Sequence, residues 1–105
     1  YPGIGVSLDS LTAHASQLGG ISIEAPEHMI GKNTTECMKS GLIYSSAAAM
    51  DGIIDRLQEQ LGGEATVIAT GGLAKKIVSH CRREIILDDD LLLKGLAIIY
   101  KKNRK

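Results

Sequence analysis

Apolar positions recur at helical spacing in four stretches of the chain and run together with β-branched residues in three shorter ones. The spacing predicts a helix over about Leu8–Leu18, a long helix over about Thr34–Leu61, another over about Leu73–Cys81 and a last one over about Asp90–Asn103. The short runs predict an extended segment at Ile21–Ala25, a strand from Ala65 to Ala69 and a strand over Glu84–Leu87. Gly19-Gly20 and Gly62-Gly63 follow helical stretches in the manner of C-terminal caps. Pro26 marks a loop ahead of the long helix. The order is that of a helix-rich α/β fold, without internal repeat or low-complexity tract.

Residues 65–77 hold the most informative pattern, because a short apolar strand runs into Gly71-Gly72 and then directly into an amphipathic helix. Glycines let the backbone turn sharply and approach a ligand without a Cβ in the way. A helix that starts there aims its free N–H groups at whatever lies over the turn. The same arrangement also serves as an ordinary tight connection between strand and helix. A second turn lies upstream, where Gly31-Lys32-Asn33-Thr34 feeds the long helix and Asn33 precedes Glu36 by three residues, the spacing of a capping box. Within that helix Gly41, Ser45, Ser46, Ala47, Ala48, Ala49 and Gly52 form a waist of small side chains, suited to close packing against another helix.

Composition narrows the function classes. Lys and Arg balance Asp and Glu at 12 each, so no phosphate-backbone footprint nominates a nucleic-acid partner. The basic end Lys101, Lys102, Arg104 and Lys105 reads as a solvated helix terminus complementing the dipole. With 44% hydrophobic residues but no Phe and no Trp, the core is expected to be aliphatic. A compact chain of this size buries on the order of 65% of its unfolded surface. No stretch approaches the roughly 20 apolar residues of a membrane span, and no signal-peptide pattern opens the chain, so a cytoplasmic protein is expected. Cys37 and Cys81 lie on separate predicted helices and read as reduced thiols. His14, His28 and His80 lack ligand spacing and read as surface residues, with no metal site expected.

Taken in order, Met29-Ile30-Gly31-Lys32-Asn33-Thr34 with Met38 and Gly41, then Ile68-Ala69-Thr70-Gly71-Gly72-Leu73-Ala74, then Leu93-Lys94-Gly95-Leu96, resemble the type III pantothenate kinases. Pro2-Gly3-Ile4, Ser7-Leu8-Asp9-Ser10-Leu11 and Asp51-Gly52-Ile53 fit the same family. The resemblance covers nearly the whole chain. Gly-Lys-Asn-Thr is fairly specific to this family, whereas the Thr-Gly-Gly turn is shared across the actin-like kinase superfamily.

The resemblance implies transfer of the ATP γ-phosphoryl group to pantothenate, the first step of coenzyme A synthesis. It places Thr70, Gly71, Gly72 and Leu73 on the adenosine side of ATP and Thr34 by pantothenate. It implies Mg2+ and a monovalent cation, K+ or NH4+, and a homodimer paired through the 34–61 helix. The family's Asp-x-Gly-Asn-Thr, Gly-x-Asp-Arg and Asp-x-Gly-Thr motifs do not occur in the 105 residues. Residues 1–105 are therefore expected to form the C-terminal part of the second actin-like domain, without the N-terminal domain and phosphate-loop hairpin. Catalytic base and magnesium carboxylates would come from an upstream half, and this chain alone is expected to be inactive.

Two departures from the family pattern stand out. Tyr44-Ser45-Ser46-Ala47-Ala48 replaces a Tyr-Gly-Tyr-x-Gly sequence, which keeps small side chains but removes an aromatic one. Asp88-Asp89-Asp90 replaces Asp-Pro-Asp before the last helix; three consecutive carboxylates do not converge on one metal and read as capping residues. The first departure suits an alternative, a non-catalytic dimerisation or regulatory module derived from the same fold. Another nucleotide or sugar kinase of the superfamily is a third reading.

Overall fold

The computed structural model describes residues 3–14 and 24–104. Its elements are α1 (Ile4–His14), α2 (Thr34–Leu61), β1 (Ile68–Ala69), α3 (Ala74–Val78), β2 (Ile86–Leu87) and α4 (Leu91–Asn103). The two strands pair in parallel, Ile68 opposite Ile86 and Ala69 opposite Leu87. The chain is thus helix-rich α/β with a small two-stranded sheet, and α3 makes the crossover between its strands.

Local chemistry sets both ends of α2. The Asn33 side chain accepts the Glu36 amide at 2.9 Å, and Glu36 reaches back to accept the Lys32 amide at 2.7 Å. Reciprocal capping of this kind is worth about 1 kcal/mol. At the other end Gly62 turns left-handed at φ 79°, and the Gly62 and Gly63 amides both donate to the Gln58 carbonyl. These 28 residues span about 42 Å.

Elsewhere tertiary contacts move the predicted boundaries. α1 begins at Ile4 rather than Leu8, because Ile4 and Leu8 share a helix face and both bury. The remainder of the predicted Leu8–Leu18 helix, together with Gly19-Gly20 and residues 21–23 of the extended segment, lies outside the described residues; Glu24 and Ala25 form no strand. The strand predicted from Ala65 starts at Ile68, since the Ala65 amide is taken by the Gln58 side chain at 3.0 Å. The Glu84–Leu87 strand likewise shrinks to Ile86–Leu87. The Leu73–Cys81 helix narrows to Ala74–Val78 and continues as tight turns, with the His80 amide on the Ile77 carbonyl and the Cys81 amide on that of Val78.

The core is aliphatic, as composition requires: Ile4 and Leu8 of α1 meet Leu42 and Ile43 of α2, with Ala25, Leu73 and Ile77 packed around them. Two buried hydroxyls stay paired, Ser40 to the Met29 carbonyl and Ser46 to that of Leu42 at 2.7 Å. The small-residue waist divides. Ser46 and Ala47 are buried inside the chain, whereas Gly41, Ser45 and Ala48 face outward.

Compactness falls short of the expectation for a chain of this size. The surface measures 8017 Å² where about 5,700 Å² is usual, and the radius of gyration is 17.2 Å where about 13 Å is usual. Large apolar side chains are among those left exposed. α4 buries none of its residues, leaving Leu92, Leu93, Ile98 and Ile99 more than half exposed, and Ile68 and Ile86 of the sheet are half exposed.

Candidate functional site

The Thr70–Leu73 turn leaves the carboxyl end of β1. Gly71 sits at φ 116°, a region that residues with a side chain rarely adopt, so the glycine is required by backbone geometry. Thr70, Gly71 and Gly72 are exposed, while the Leu73 side chain packs inward on the α1–α2 core. The four predicted adenosine-side residues therefore divide into a three-residue surface loop and an apolar anchor. α3 is only five residues long, so its dipole is small and the turn offers backbone shape more than helix charge.

Thr34 opens α2 and is exposed. The cap belongs to Asn33, which frees the Thr34 hydroxyl from that role. Behind it the Gly31 turn lies hard against the helix: a Cβ on Gly31 would stand 2.6 Å from the Cys37 nitrogen. Thr34 and the turn at Thr70 share one support, α2. Leu73 packs on a cluster containing Leu42, which lies eight residues, about 12 Å, along α2 from Thr34.

Sequence reasoning did not find the polar junction between α2 and the connector that leads from α3 to β2. Asp51 accepts two successive backbone amides there, from Arg82 at 2.8 Å and Arg83 at 3.0 Å. One turn further on, Asp55 takes the Arg83 guanidinium in a two-pronged pair at 2.6 and 2.9 Å. These bonds fix the connector that follows the tight turns at the end of α3. The available signal was the i, i+4 placement of two aspartates on one helix face.

Two open clefts flank this junction. One of about 730 Å³ is lined by Ile54, Gln58, Thr66, Arg83 and Ile86, and one of about 630 Å³ by Met29, Tyr44, Asp51, His80 and Arg82. Neither is lined by Thr34 or by residues 70–73. His80, read from sequence as a surface residue, is half-buried edge-on against Tyr44 with ring centroids 5.0 Å apart.

Charge follows the same geometry. The hydrogen bond from Arg83 holds the Asp55 carboxyl below its ordinary range, and Lys94 does the same to Asp88. Partial burial, and then the Asp51 charge, push the Cys81 thiol up and away from thiolate chemistry. Both cysteines are free. The last helix is not capped by Asp90, which makes no side-chain capping bond; Asp88 instead accepts the Asp90 amide at 3.1 Å and the Lys94 ammonium at 2.9 Å. Among the described residues no three His, Cys, Asp or Glu side chains converge as a metal site, and no helix is long and apolar enough to cross a membrane.

A depressed carboxylate pKa carries a sign. Its stabilisation is complete above the unfolded value, about 3.9, and is lost as pH falls through the lower folded value. Acid titration followed by far-UV circular dichroism is therefore expected to show stability falling below about pH 4. Asp55→Asn flattens that limb; an unchanged limb would remove the pair from the stability of the fold.

The profile of the type III pantothenate kinase family matches residues 1–56, which contain α1, the Gly31 turn and most of α2. The chain belongs to the type III pantothenate kinase family. It is 43% identical over 102 residues to the type III pantothenate kinase of Acidothermus cellulolyticus, covering 97% of this chain and 40% of that protein. The enzymes of Exiguobacterium sp. and Moorella thermoacetica are 44% and 42% identical, over 99% and 97% of this chain. These alignments are long enough to include the Thr70–Leu73 turn. The chain thus spans about two fifths of the length of the curated relatives it matches. For the kinase family, Asp51 and Asp55 fall inside the profile match and the Arg82-Arg83 connector outside it.

Proposed function

We propose that residues 1–105 form the C-terminal part of the second actin-like domain of an ATP-dependent kinase that converts pantothenate to 4'-phosphopantothenate. The reaction opens coenzyme A biosynthesis, in the cytoplasm. Beyond family membership, one observation carries the reading: the Thr-Gly-Gly turn, with its left-handed Gly71, is anchored through Leu73 to the same helix that begins at Thr34. Two ligand-facing turns on one rigid support can hold two substrates at a set distance, which phosphoryl transfer demands. In this reading Thr70, Gly71 and Gly72 lie beside adenosine, Leu73 fixes their loop, and the Thr34 hydroxyl meets pantothenate.

Phosphoryl transfer also needs magnesium, a base and a cradle for the phosphates. The residues here do not fit a magnesium site, since Asp88 is committed to Lys94, Asp51 and Asp55 to the Arg82-Arg83 connector, and no three His, Cys, Asp or Glu side chains converge among the described residues. We assign base, magnesium ligands and phosphate loops to the upstream half of the enzyme, with K+ or NH4+ held by backbone carbonyls. The exposed apolar face of α4 suits cover by that half. The outward Gly41, Ser45 and Ala48 suit pairing of α2 with a second copy.

A non-catalytic dimerisation or regulatory module is the second reading. It is favoured by Tyr44, whose ring is spent on His80, and by the small residues after it. The two readings separate in an assay of pantothenate phosphorylation by ATP with Mg2+ and K+. The chain alone is expected to give no turnover, and its mixture with a separately produced upstream half to give phosphopantothenate. A folded, inactive mixture would favour the module, and turnover by the chain alone would overturn the assignment of the catalytic groups.

A further inference from the structure

The unit β1–turn–α3–β2 is held to α2 at two places of different character. Near the turn, Leu73 and Ile77 sit on the Ile4, Leu8, Leu42 and Ile43 cluster. At the far end, the Asp51 carboxylate takes the Arg82 and Arg83 amides, and Asp55 takes the Arg83 guanidinium. Apolar contact is non-directional and lets a short helix slide or roll. Charge-assisted bonds to two successive amides and a planar fork are directional and forbid it.

We propose that Asp51 and Asp55, through Arg82 and Arg83, are positioning residues for nucleotide binding: they set the seat of α3 on α2 and so the placement of the Thr70–Leu73 turn. This rests on the reading that the turn holds ATP. The path is short. The connector gripped by Asp51 leads in three residues to Ile86, whose amide donates to the Val67 carbonyl at 2.9 Å, and the Asp88 amide donates to the Ala69 carbonyl at 2.9 Å. Thr70 follows Ala69 directly, so the grip fixes the strand end from which the turn departs. Neither aspartate contacts substrate in this scheme. Asp51 holds amides, and Asp55 holds the arginine that carries one of them.

The test compares the wild-type chain with Asp51→Asn, which keeps shape but loses charge and one acceptor, and with the milder Asp55→Asn should the first not fold. Amide exchange is read by NMR at Ala74 and Lys76, which donate to the Gly71 and Leu73 carbonyls, and along α2. Exchange at Ala74 and Lys76 is expected to quicken about tenfold, with the α2 amides unchanged. In the chain mixed with the upstream half, KM for ATP is expected to rise about tenfold while KM for pantothenate stays within about twofold. Faster exchange confined to Arg82 and Arg83, or equal everywhere, would overturn the proposal, as would equal rises in both KM values. A wild-type mixture without turnover would remove the kinase reading, and the exchange comparison would then decide the coupling by itself.

Discussion

Replacing Gly71 by valine is expected to weaken binding of a non-hydrolysable ATP analogue and to lower the stability of the chain together. Nothing lies within 4 Å of a Cβ built on Gly71, so the effect owes nothing to steric contact with neighbours. It comes from φ 116°, where a β-branched residue is strained. Such strain costs about 1–3 kcal/mol, or about 5- to 150-fold in the equilibrium that bears it. The turn has little freedom to relax, because Ala69 is paired in the sheet on one side and Leu73 is packed in the core on the other. Urea unfolding and calorimetric titration of the analogue read the two halves of the expectation. Gly72→Ala is the control: its backbone carries no positive φ and its Cβ position is open, so the free chain should unfold at an unchanged midpoint. A Gly71→Val chain that binds the analogue and unfolds as wild type would end the claim that this glycine shapes the site.

What could be read from the sequence follows how local the cause is. The ends of α2 were legible because Asn33 with Glu36 and Gly62 with Gly63 act within four residues of the helix they cap. The strand–Gly–Gly–helix turn was legible for the same reason, and its left-handed glycine falls at Gly71. The start of α1 was not, since it depends on burying Ile4 against α2, some forty residues downstream in the chain. The shortened strand at Ile68 depends on Gln58 claiming the Ala65 amide, and the course of the connector after α3 on Asp51 claiming the amides of Arg82 and Arg83. Each is a side chain competing for a backbone donor across a tertiary contact, which leaves no periodic trace. The family resemblance rested on turns and caps, and the comparisons show the same family. The junction of Asp51 and Asp55 with the Arg83 connector has no motif of its own and came only from the folded geometry.

Gly31→Ala is expected to be the most damaging substitution on the Thr34 side. A Cβ at residue 31 would meet the Cys37 nitrogen at 2.6 Å, its Sγ at 2.8 Å and its Cα at 2.9 Å. Two of these three atoms are backbone of the first turn of α2, so no rotamer change relieves the contact; the turn and the helix must part. Parting them strains the Asn33 cap, the Glu36 bond to the Lys32 amide and the bond from Ser40 to the Met29 carbonyl. Overpacking of this kind costs about 1–3 kcal/mol, and a lost cap adds about 1 kcal/mol. Because Thr34 is the first residue of that helix, its hydroxyl shifts with it. In the reconstituted enzyme the expectation is a KM for pantothenate raised severalfold with KM for ATP unchanged, the mirror image of the split expected for Asp51→Asn. The double variant Gly31→Ala/Cys37→Ala separates the causes. It removes Sγ but leaves the nitrogen and Cα in place, so recovery of the urea midpoint would mean that the thiol alone was in the way, whereas persistence of the loss means that the backbone of α2 requires glycine at its threshold. With α2 bearing Thr34 at one end and the α3 unit along its length, the two variants together ask whether one helix sets the distance between two substrates.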